Sequence, residues 1–399
     1  MKRLSYIFIA LTAFVISSCV RENFPLPETE NVPEGYTKIE FAANIADPTS
    51  VTTRAVDPDG LDVNNMTLFC FNEFGLFIST ETATLVRHTS VDGVSDSGVY
   101  SAIIPSHTRI IHFLANHSEG LYDESNFPGQ TESMVIANME GGSGMLVYWS
   151  RFEMVDNDKS MHEQLSELTY MIGNTTYKGI KLIRNQAKIS IENWNTSYFT
   201  VTGFRTVNIP AFGTVAPHHP QDHFHIVDNW ESTEDFITLP NNQALMSDIV
   251  DINTKNEDYI FETENSGDRQ VSVIIKGHFP GQTEKDDKYY RIVMQREDGS
   301  NFMIRRNHNY NIQITGKLTY PSDTFEKALV APATNNAWIS IDEWVNELTD
   351  GTRTLWVEKT SYVLASDQYA GTDFVIPYKY TEGNTCNICG FPVKYGKNH

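Results

Sequence analysis

Hydrophobic and polar residues alternate with a period of two in the segment KIEFAANI, which starts at Lys38. In an extended chain Ile39, Phe41, Ala43 and Ile45 would share one face, and most residues between them are polar. Because side chains of a β-strand point alternately to opposite faces, this pattern predicts a half-buried strand. We therefore expect the folded part of the chain to begin with this strand.

The same alternation recurs along the chain, with turn residues between the runs. MTLFCF and LFIS flank the short stretch 72–75, which ends in glycine, and this arrangement predicts a hairpin. Further predicted strands, in chain order, are RIIHFLAN, AKISIENW, FITL, QVSVIIKGHF, YYRIVMQ and NYNIQITGKL. These runs favour antiparallel β-sandwiches over a parallel sheet with crossover helices. The sequence thus predicts an all-β fold.

Helical signals are few and short. Ser160 and Glu163 have the spacing of a capping box, and Met161, Leu165 and Leu168 follow at helical intervals. Residues 341–345 predict one more short helical turn. Neither segment is long enough to organise a core.

Composition divides the chain into five segments. Basic residues followed by an apolar stretch up to residue 16 predict an export signal, and a proline- and glutamate-rich stretch predicts a tether. The predicted boundaries are 1–18 for the signal, 19–35 for the tether, 36–200 for an N-terminal β-sandwich domain, 201–350 for a C-terminal one, and 351–399 for a last segment. That last segment contains the strand patterns TLWVEKTSYVL and DFVIPYKY. It could complete the second unit, supply a donor strand, or begin an incomplete immunoglobulin-like domain.

A cysteine lies at the border between the apolar stretch and the tether. Residues 16–19, ISSC, resemble a bacterial lipobox, in which Cys19 would become the acylated first residue of the mature chain. Ile16 stands where leucine is usual, and the alternative is an unpaired thiol near an ordinary cleavage site. Each buried methylene of an acyl chain contributes about 0.8 kcal/mol, so several chains together would anchor the protein. We found no later segment long and apolar enough to span a bilayer.

The chain is acidic, with a formal net charge of −21. Removing residues 1–18 takes away Lys2 and Arg3 but no acid, which makes the charge −23. Such a chain repels phosphate backbones, so we expect no nucleic-acid partner.

Three cysteines remain beyond Cys19, and an odd number in an exported protein argues against a disulfide framework. Cys70 falls inside an apolar run and is expected to be a small buried hydrophobe rather than a reactive thiol. Cys386 and Cys389 form half of a zinc or redox pattern without a second pair. We expect a local disulfide or two ordinary thiols there.

The segment HHPQDHFH is rich in histidine and is the main candidate for metal chemistry. His219, His223 and His225 are weak candidates as zinc or copper ligands. However, Pro217 and Pro220 predict a solvated loop, and we expect no metal there.

The chain has no nucleophile elbow and no phosphate-binding glycine loop. The sequence leaves open whether two of its carboxylates form the catalytic pair of a glycosidase. We predict no enzymatic activity and no cofactor.

One loop is a candidate substrate for a protease. The stretch from Ser50 to Gly60 is rich in turn residues and carries the single arginine Arg54. Exposed loops of small and polar residues are preferred sites of proteolytic nicking. By itself, an arginine in a loop is usually an ordinary surface residue and not a cleavage site.

The order of these segments resembles that of the fimbrillin family of Bacteroidetes, the subunits of protease-assembled type V pili. The segments that carry the resemblance are the lipobox at Cys19, KIEFAANI followed by TTRA, the hairpin FCFNEFGLFI, RIIHFLAN, LIRNQAKI and RNHNYNI. The resemblance spans residues 36–345.

This resemblance implies two tandem transthyretin-like β-sandwich domains and no catalysis. It implies transport as an outer-membrane lipoprotein to a fimbria at the cell surface. An arginine-specific protease would cut between Arg54 and Ala55 and so remove the first strand, with its residues Ile39, Phe41, Ala43 and Ile45. A strand of another pilus subunit would then fill the groove. The extra residues after 350 fit a tip or accessory subunit, which could face a host protein or glycan.

Two alternatives belong to other functional classes. In a surface glycan-binding lipoprotein, aromatic side chains exposed on one sheet face would stack against sugars. A lipid-tethered hydrolase is the third hypothesis.

Overall fold

In this computed structural model the chain divides into residues 1–34 and residues 35–399, and all elements below belong to the second unit. The described residues are 32–45, 63, 65–91, 94–118, 120–137, 139–142, 146–172, 175–193, 196–217, 244–296, 299–301, 303–335, 339–344, 348–349, 353–357, 374–375, 378–382, 385–389 and 392–393. Strands dominate them, which confirms the all-β prediction. The helices found among them are α1 (Glu132–Ala137), α2 (Met161–Glu167), α3 (Phe325–Leu329) and 3-10 turns at Glu124–Asn126, Gly267–Arg269 and Glu284–Asp286.

The N-terminal half is built on one eight-stranded sheet. The first strands are β1 (Tyr36–Ile45), β2 (Met66–Phe71), β3 (Phe77–Thr82), β4 (Thr84–Val91), β5 (Val94–Pro105), β6 (Ile110–Ala115), β7 (Glu140–Gly142), β8 (Tyr148–Glu153), β9 (Thr169–Ile172), β10 (Thr175–Lys178) and β11 (Ile180–Arg184). The sheet order is β3-β2-β6-β8-β11-β1-β5-β4, and β9 and β10 form a separate hairpin. Strand β1 is therefore an inner strand.

Both faces of this sheet carry apolar cores. One core contains residues of β1, β2, β5, β6 and β11 together with Met161 and Leu165 of α2. The other core lies against α1 and includes Val135, Ile136 and Met139. Burial of these side chains, at about 25 cal/mol per Å² of apolar surface, holds the short helices against the sheet.

Two further sheets enclose a third core. Their strands are β12 (Ala187–Asn193), β13 (Thr200–Pro210), β14 (Phe212–Thr214), β15 (Ala244–Met246), β16 (Val250–Asp251), β17 (Glu257–Ile260), β18 (Ser272–His278), β19 (Lys288–Val293), β20 (Asn309–Ile314) and β21 (Ile339–Trp344). One sheet has the order β17-β12-β20-β21, the other has β15-β13-β18-β19 with β16 beside β13, and β14 pairs with β7. The core draws on both sheets, as in a sandwich.

The last segment forms sheets of its own. Its strands are β22 (Leu348–Thr349), β23 (Arg353–Val357), β24 (Phe374–Val375), β25 (Tyr378–Glu382), β26 (Thr385–Cys389) and β27 (Pro392–Val393). They pair in the order β22-β23-β25-β26, and β24 pairs with β27. The domain boundaries proposed from the sequence stay predictions.

Several local predictions are confirmed. The first strand is β1, and the predicted hairpin is formed by β2 and β3. Helix α2 begins with the predicted capping box of Ser160 and Glu163. The segment FITL lies outside the described residues.

Other local predictions need correction. Residues 341–345 were predicted to form a helical turn, but residues up to Trp344 belong to β21, which pairs with β20 along its whole length. So short a helix is costly to nucleate, whereas a partner strand supplies backbone hydrogen bonds at once. Strand β12, which contains most of AKISIENW, pairs with β17 and β20. Two strand pairs, β1–β11 and β12–β20, are parallel.

Candidate functional site: the first strand and its groove

Strand β1 lies in a groove between β5 and β11. It runs antiparallel to β5 from Tyr36, opposite Pro105, to Ala43, opposite Gly98. It runs parallel to β11 only at its end, where Ala43 to Ile45 pair with residues 180–182. One edge of β1 is therefore paired with a strand over most of its length, whereas the other edge meets a strand only over its last residues.

The side chains predicted to face the core do so. Ile39, Phe41 and Ala43 are at most 2% exposed and belong to one apolar core. The Phe41 ring stacks on Tyr100 with 6.0 Å between centroids and meets the edge of Phe113 at 5.0 Å. Burying a phenylalanine contributes about 1.5–3 kcal/mol, and aromatic pairs add to this. Phe41 is the main anchor of the strand.

Helix α2 covers the edge of β1 that β11 does not reach. The backbone N–H of Glu40 donates a hydrogen bond to Nδ1 of His162, at 3.1 Å. The helix is fixed at its start, because Ser160 Oγ accepts from the N–H of Glu163, at 3.2 Å, and Glu163 Oε2 accepts from the N–H of Ser160, at 2.8 Å. Just after its end, the carbonyl of Leu168 accepts from the N–H of Gly179, at 2.8 Å. The acceptor for Glu40 is thus held on a rigid element.

The polar face of β1 is less open than the alternation suggested. Glu40 lies on the polar side of the alternating pattern, yet only 6% of it is exposed. Its carboxylate lies 3.7 Å from the Arg87 guanidinium of β4. Sequence patterns gave no signal for this pair or for His162, which is 122 residues away from Glu40.

Close backbone contact fixes the end of the groove at Gly179. This residue has φ +103°, and a β-carbon added to it would lie 2.2 Å from the carbonyl oxygen of Ala42. A glycine is needed here for both reasons. It lets β11 begin directly beside β1.

The segments LIRNQAKI and RNHNYNI meet in space. The N–H of Arg184 donates to Oδ1 of Asn307 at 3.1 Å, and the N–H of Asn307 donates to the Gln186 carbonyl at 3.0 Å. Arg184 Nη2 also donates to Oδ1 of Asn309, at 2.5 Å. All these residues are buried. The contacts join the end of β11 to the start of β20. These polar residues therefore stabilise the packing of the two segments.

The other candidate residues are distributed as follows. Cys19, Arg54, Ala55, His219, His223 and His225 lie outside the described residues, and only the backbone of Ile45 is described. Cys70 is fully buried, and burial raises the pKa of its thiol to about 12, as expected for a core residue. In the described part of the chain, no cluster of three potential metal ligands was found. Nor does that part contain a helix with the length and apolarity to cross a bilayer.

The groove is suited to holding an extended strand. It offers backbone partners along β5, the His162 side chain of α2 as acceptor for a backbone N–H, and an apolar floor with an aromatic pocket. An extended peptide that adds to a sheet gains affinity from main-chain hydrogen bonds and specificity from side-chain pockets. These are the properties of a strand-binding site.

Comparison with known proteins identifies a fimbrial protein as a relative of this chain. No family model matches the chain. The major fimbrium tip subunit FimE of Porphyromonas gingivalis is 23% identical over 385 residues, which cover 92% of this chain and 63% of that protein. The chain thus spans less than two thirds of the length of this curated relative.

Similarities to solved structures are weak. A fimbrial assembly protein from Parabacteroides distasonis has a TM-score of 0.43 at 13% identity, covering 72% of this chain and 94% of that one. The tip fimbrial protein Mfa3 of Porphyromonas gingivalis, solved with a C-terminal truncation, has a TM-score of 0.41 at 10% identity, covering 77% and 100%. The sequence similarity to a fimbrium subunit along most of the chain agrees with the resemblance to the fimbrillin family of Bacteroidetes that the order of its motifs indicates.

Proposed function

We propose that the chain is a structural and adhesive subunit of a cell-surface fimbria, at its tip or in an accessory position. It is exported as a lipoprotein through Cys19 and joins a neighbouring subunit by exchange of strand β1. The observation that carries this proposal is the position of β1, an inner strand at the start of the fold whose side chains fill the core. The relative FimE is a fimbrium tip subunit, which supports the same role.

The loss of an inner strand has a large energetic consequence. Without β1, the N–H and C=O groups of β5 that face β1 would be unpaired next to an exposed apolar floor. Such an edge pairs readily with another chain. A strand from a neighbour would restore the hydrogen bonds and rebury apolar surface at about 25 cal/mol per Å². This would give a durable contact without a covalent bond.

The position of Arg54 supports removal by proteolysis. The connection between β1 and β2 runs from residue 46 to residue 65 and contains the bond between Arg54 and Ala55. Cutting that bond separates β1 from the rest of the fold covalently. The strand would then be held by non-covalent contacts alone, so another strand can replace it.

The strands after residue 347 fit a separate role. Parts of TLWVEKTSYVL and DFVIPYKY lie in β23, β24 and β25, and these strands pair with one another or with β22, β26 and β27. This pairing favours a small C-terminal sheet over a free donor segment. In a tip or accessory subunit, such a sheet could present a surface to a host ligand.

The two alternatives gain less support. Among the described residues, the exposed aromatic side chains are Tyr36, Phe74, Tyr198 and Tyr320. They lie in turns, in loops or at a strand end rather than along one sheet face, so no platform for sugars stands out there. We propose that the chain has no enzymatic activity, in line with the structural role of its relative.

Treatment of the purified chain with an arginine-specific protease tests the proposal. We expect a new N-terminus at Ala55 and a ladder of oligomers on a non-reducing gel after incubation at high protein concentration. The Arg54→Lys variant, which the protease does not cut at this site, should stay monomeric. A cut chain that keeps β1 and stays monomeric would contradict the proposal.

The lipid anchor has its own test. Mass spectrometry of protein extracted from cells should show acyl groups on Cys19, and the Cys19→Ala variant should lose both the added mass and the membrane attachment. Wild-type protein that begins at another residue without acyl groups would contradict lipidation.

A further inference from the structure

The core face of the β1 groove has three positions with different shapes. They are occupied by Ile39, Phe41 and Ala43, all of which lie in the same core. The first position holds a bulky aliphatic side chain, the second an aromatic ring and the third a single methyl group. The surroundings of the last two positions explain this order.

The middle position is shaped for an aromatic ring. Phe41 is 2% exposed, and its ring lies between Tyr100 and Phe113. Stacked and edge-to-face contacts both depend on a flat ring. An aliphatic residue here would lose these contacts, and alanine would leave a cavity.

The third position has room only for a small side chain. Ala43 is directly opposite Gly98, and opposite residues of an antiparallel pair have side chains on the same face. A β-carbon added to Gly98 would lie 2.5 Å from Cε2 of Tyr100. The Tyr100 ring therefore lies across Gly98 and beside position 43. A large residue at position 43 would have to displace that ring.

A backbone contact fixes the register of the strand. His162 Nδ1 accepts the N–H of Glu40, so the proton of this neutral ring is on Nε2. Because α2 is capped and tied to Gly179 near its end, this acceptor cannot follow a strand that slips. A shift by one residue would also turn the core face of the strand toward solvent.

We propose that the groove is a sequence-selective receptor for a strand of a neighbouring fimbrial subunit. It reads a bulky aliphatic residue, an aromatic residue and a small residue at alternate positions, and it requires a backbone N–H directly before the aromatic residue. This inference rests on the proposed function, because β1 must leave before another strand enters. His162 acts as a positioning residue that sets the register.

Peptide exchange on the full chain, after treatment with the arginine-specific protease, tests the proposal. The probe is a fluorescent peptide with the sequence YTKIEFAANI, in excess, and entry is followed by native mass spectrometry and fluorescence anisotropy. Peptides with Phe41→Ala or Ala43→Phe should bind roughly 100-fold more weakly, from the usual cost of such core changes. A Tyr36→Ala peptide is the matched control, since Tyr36 is 41% exposed, and should change affinity less than about threefold.

The role of His162 is tested with an N-methyl group on Glu40 of the peptide. Wild-type protein should bind this peptide roughly tenfold more weakly, because the donor is lost. His162→Ala protein should bind both peptides nearly equally. His162→Asn, whose Oδ1 can accept in place of Nδ1, should restore the preference. A preference that persists unchanged in His162→Ala would overturn the positioning role.

The outcomes separate this inference from the proposed function. If all peptides enter with equal affinity, the groove accepts strands without selection and the receptor specificity is refuted, while strand exchange stands. If no peptide enters, including the wild-type sequence, the groove is never vacated and the proposed function itself fails.

Discussion

Arg306 donates a hydrogen bond from Nη2 to Oε1 of Glu262 at 2.7 Å, although only 1% of the arginine is exposed. The same guanidinium donates to the Val215 carbonyl at 2.8 Å and to the Thr214 hydroxyl at 2.7 Å. Val215 packs in the core beside α1, whereas Arg306 lies just before β20. One buried cation thus ties the core of the first sheet to the strands of the second half.

Replacing Arg306 with methionine should therefore be severely destabilising. Glu262 is only 11% exposed and would be left without its partner. Breaking a largely buried ion pair from one side typically costs about 3–5 kcal/mol. Urea unfolding followed by circular dichroism should show this loss in the free energy of unfolding.

Lys327→Met is the matched control for that variant. Lys327 pairs with Asp323, and both side chains are 65% exposed, so solvent screens the pair. We expect no measurable loss of stability. Equal stabilities of the two variants would contradict the linking role of Arg306.

Glu132 should make stability depend on pH below about 5. Burial alone would raise the pKa of its carboxyl, but hydrogen bonds from His112 and Arg151 outweigh burial and hold the pKa at about 2. His112 Nδ1 accepts from the Trp149 indole at 2.9 Å, so its Nε2–H donates to Glu132 at 2.7 Å. A lowered pKa stabilises the fold above the unfolded value, near 4.5, and this stability is lost as pH falls toward 2.

We expect wild-type protein to lose on the order of 2–3 kcal/mol through this group between pH 5 and pH 2. Glu132→Gln should be less stable at pH 7 and should show a shallower decline in acid. Glu73→Gln, in the exposed turn between β2 and β3, should follow the wild-type profile. Parallel profiles for Glu132→Gln and wild type would rule out this role.

The sequence predicted local structure well where a pattern involved neighbouring residues. The alternation in KIEFAANI and the capping box at Ser160 each depend on residues within one element, and both appear as predicted. The segment at residues 341–345 was misjudged because its length fits either a helical turn or a strand. Its state is decided by β20, about 30 residues earlier in the chain.

Contacts over long sequence distances left no local signal. The groove needs His162 opposite Glu40, and nothing near either residue indicates that pair. The parallel pairing of β12 with β20 brings the segments LIRNQAKI and RNHNYNI together, but the spacing of these segments along the chain does not specify that pairing. The core side of the site was therefore predictable, and its helical edge was not.

Gly179→Ala should weaken the docking of β1. The new β-carbon would lie 2.2 Å from the Ala42 carbonyl oxygen, and φ of +103° is unfavourable for alanine. Strain and overpacking together predict a loss of about 2–5 kcal/mol. Relative to wild type, amide hydrogen exchange should accelerate in β1 but not in β18.

Gly281→Ala separates strain from the steric clash. Gly281 has φ +81° but no atom within 4 Å of an added β-carbon, so only the backbone cost of about 1–2 kcal/mol applies. Its hydrogen exchange in β1 should match wild type. If both variants lost the same stability and showed the same hydrogen exchange in β1, the close contact between Gly179 and β1 would not contribute to the docking of β1.

Cys70 should resist alkylation for as long as the sheet stays closed. It is fully buried on β2, between β3 and β6, and burial raises its pKa to about 12. Because the thiolate is the reactive form, iodoacetamide at pH 8 should modify Cys70 in urea but not in native protein.

The control is the Ser79→Cys variant in a Cys70→Ala background, since Ser79 is the partially exposed partner of Cys70 on β3. Peptide mass spectrometry of the native proteins should show the introduced cysteine of that variant labelled and Cys70 of the wild type unmodified. This result would show that burial protects the Cys70 thiol from alkylation. Native labelling of Cys70 at the rate of Ser79→Cys would mean instead that β2 and β3 separate frequently, and a groove that depends on this sheet could not hold its shape.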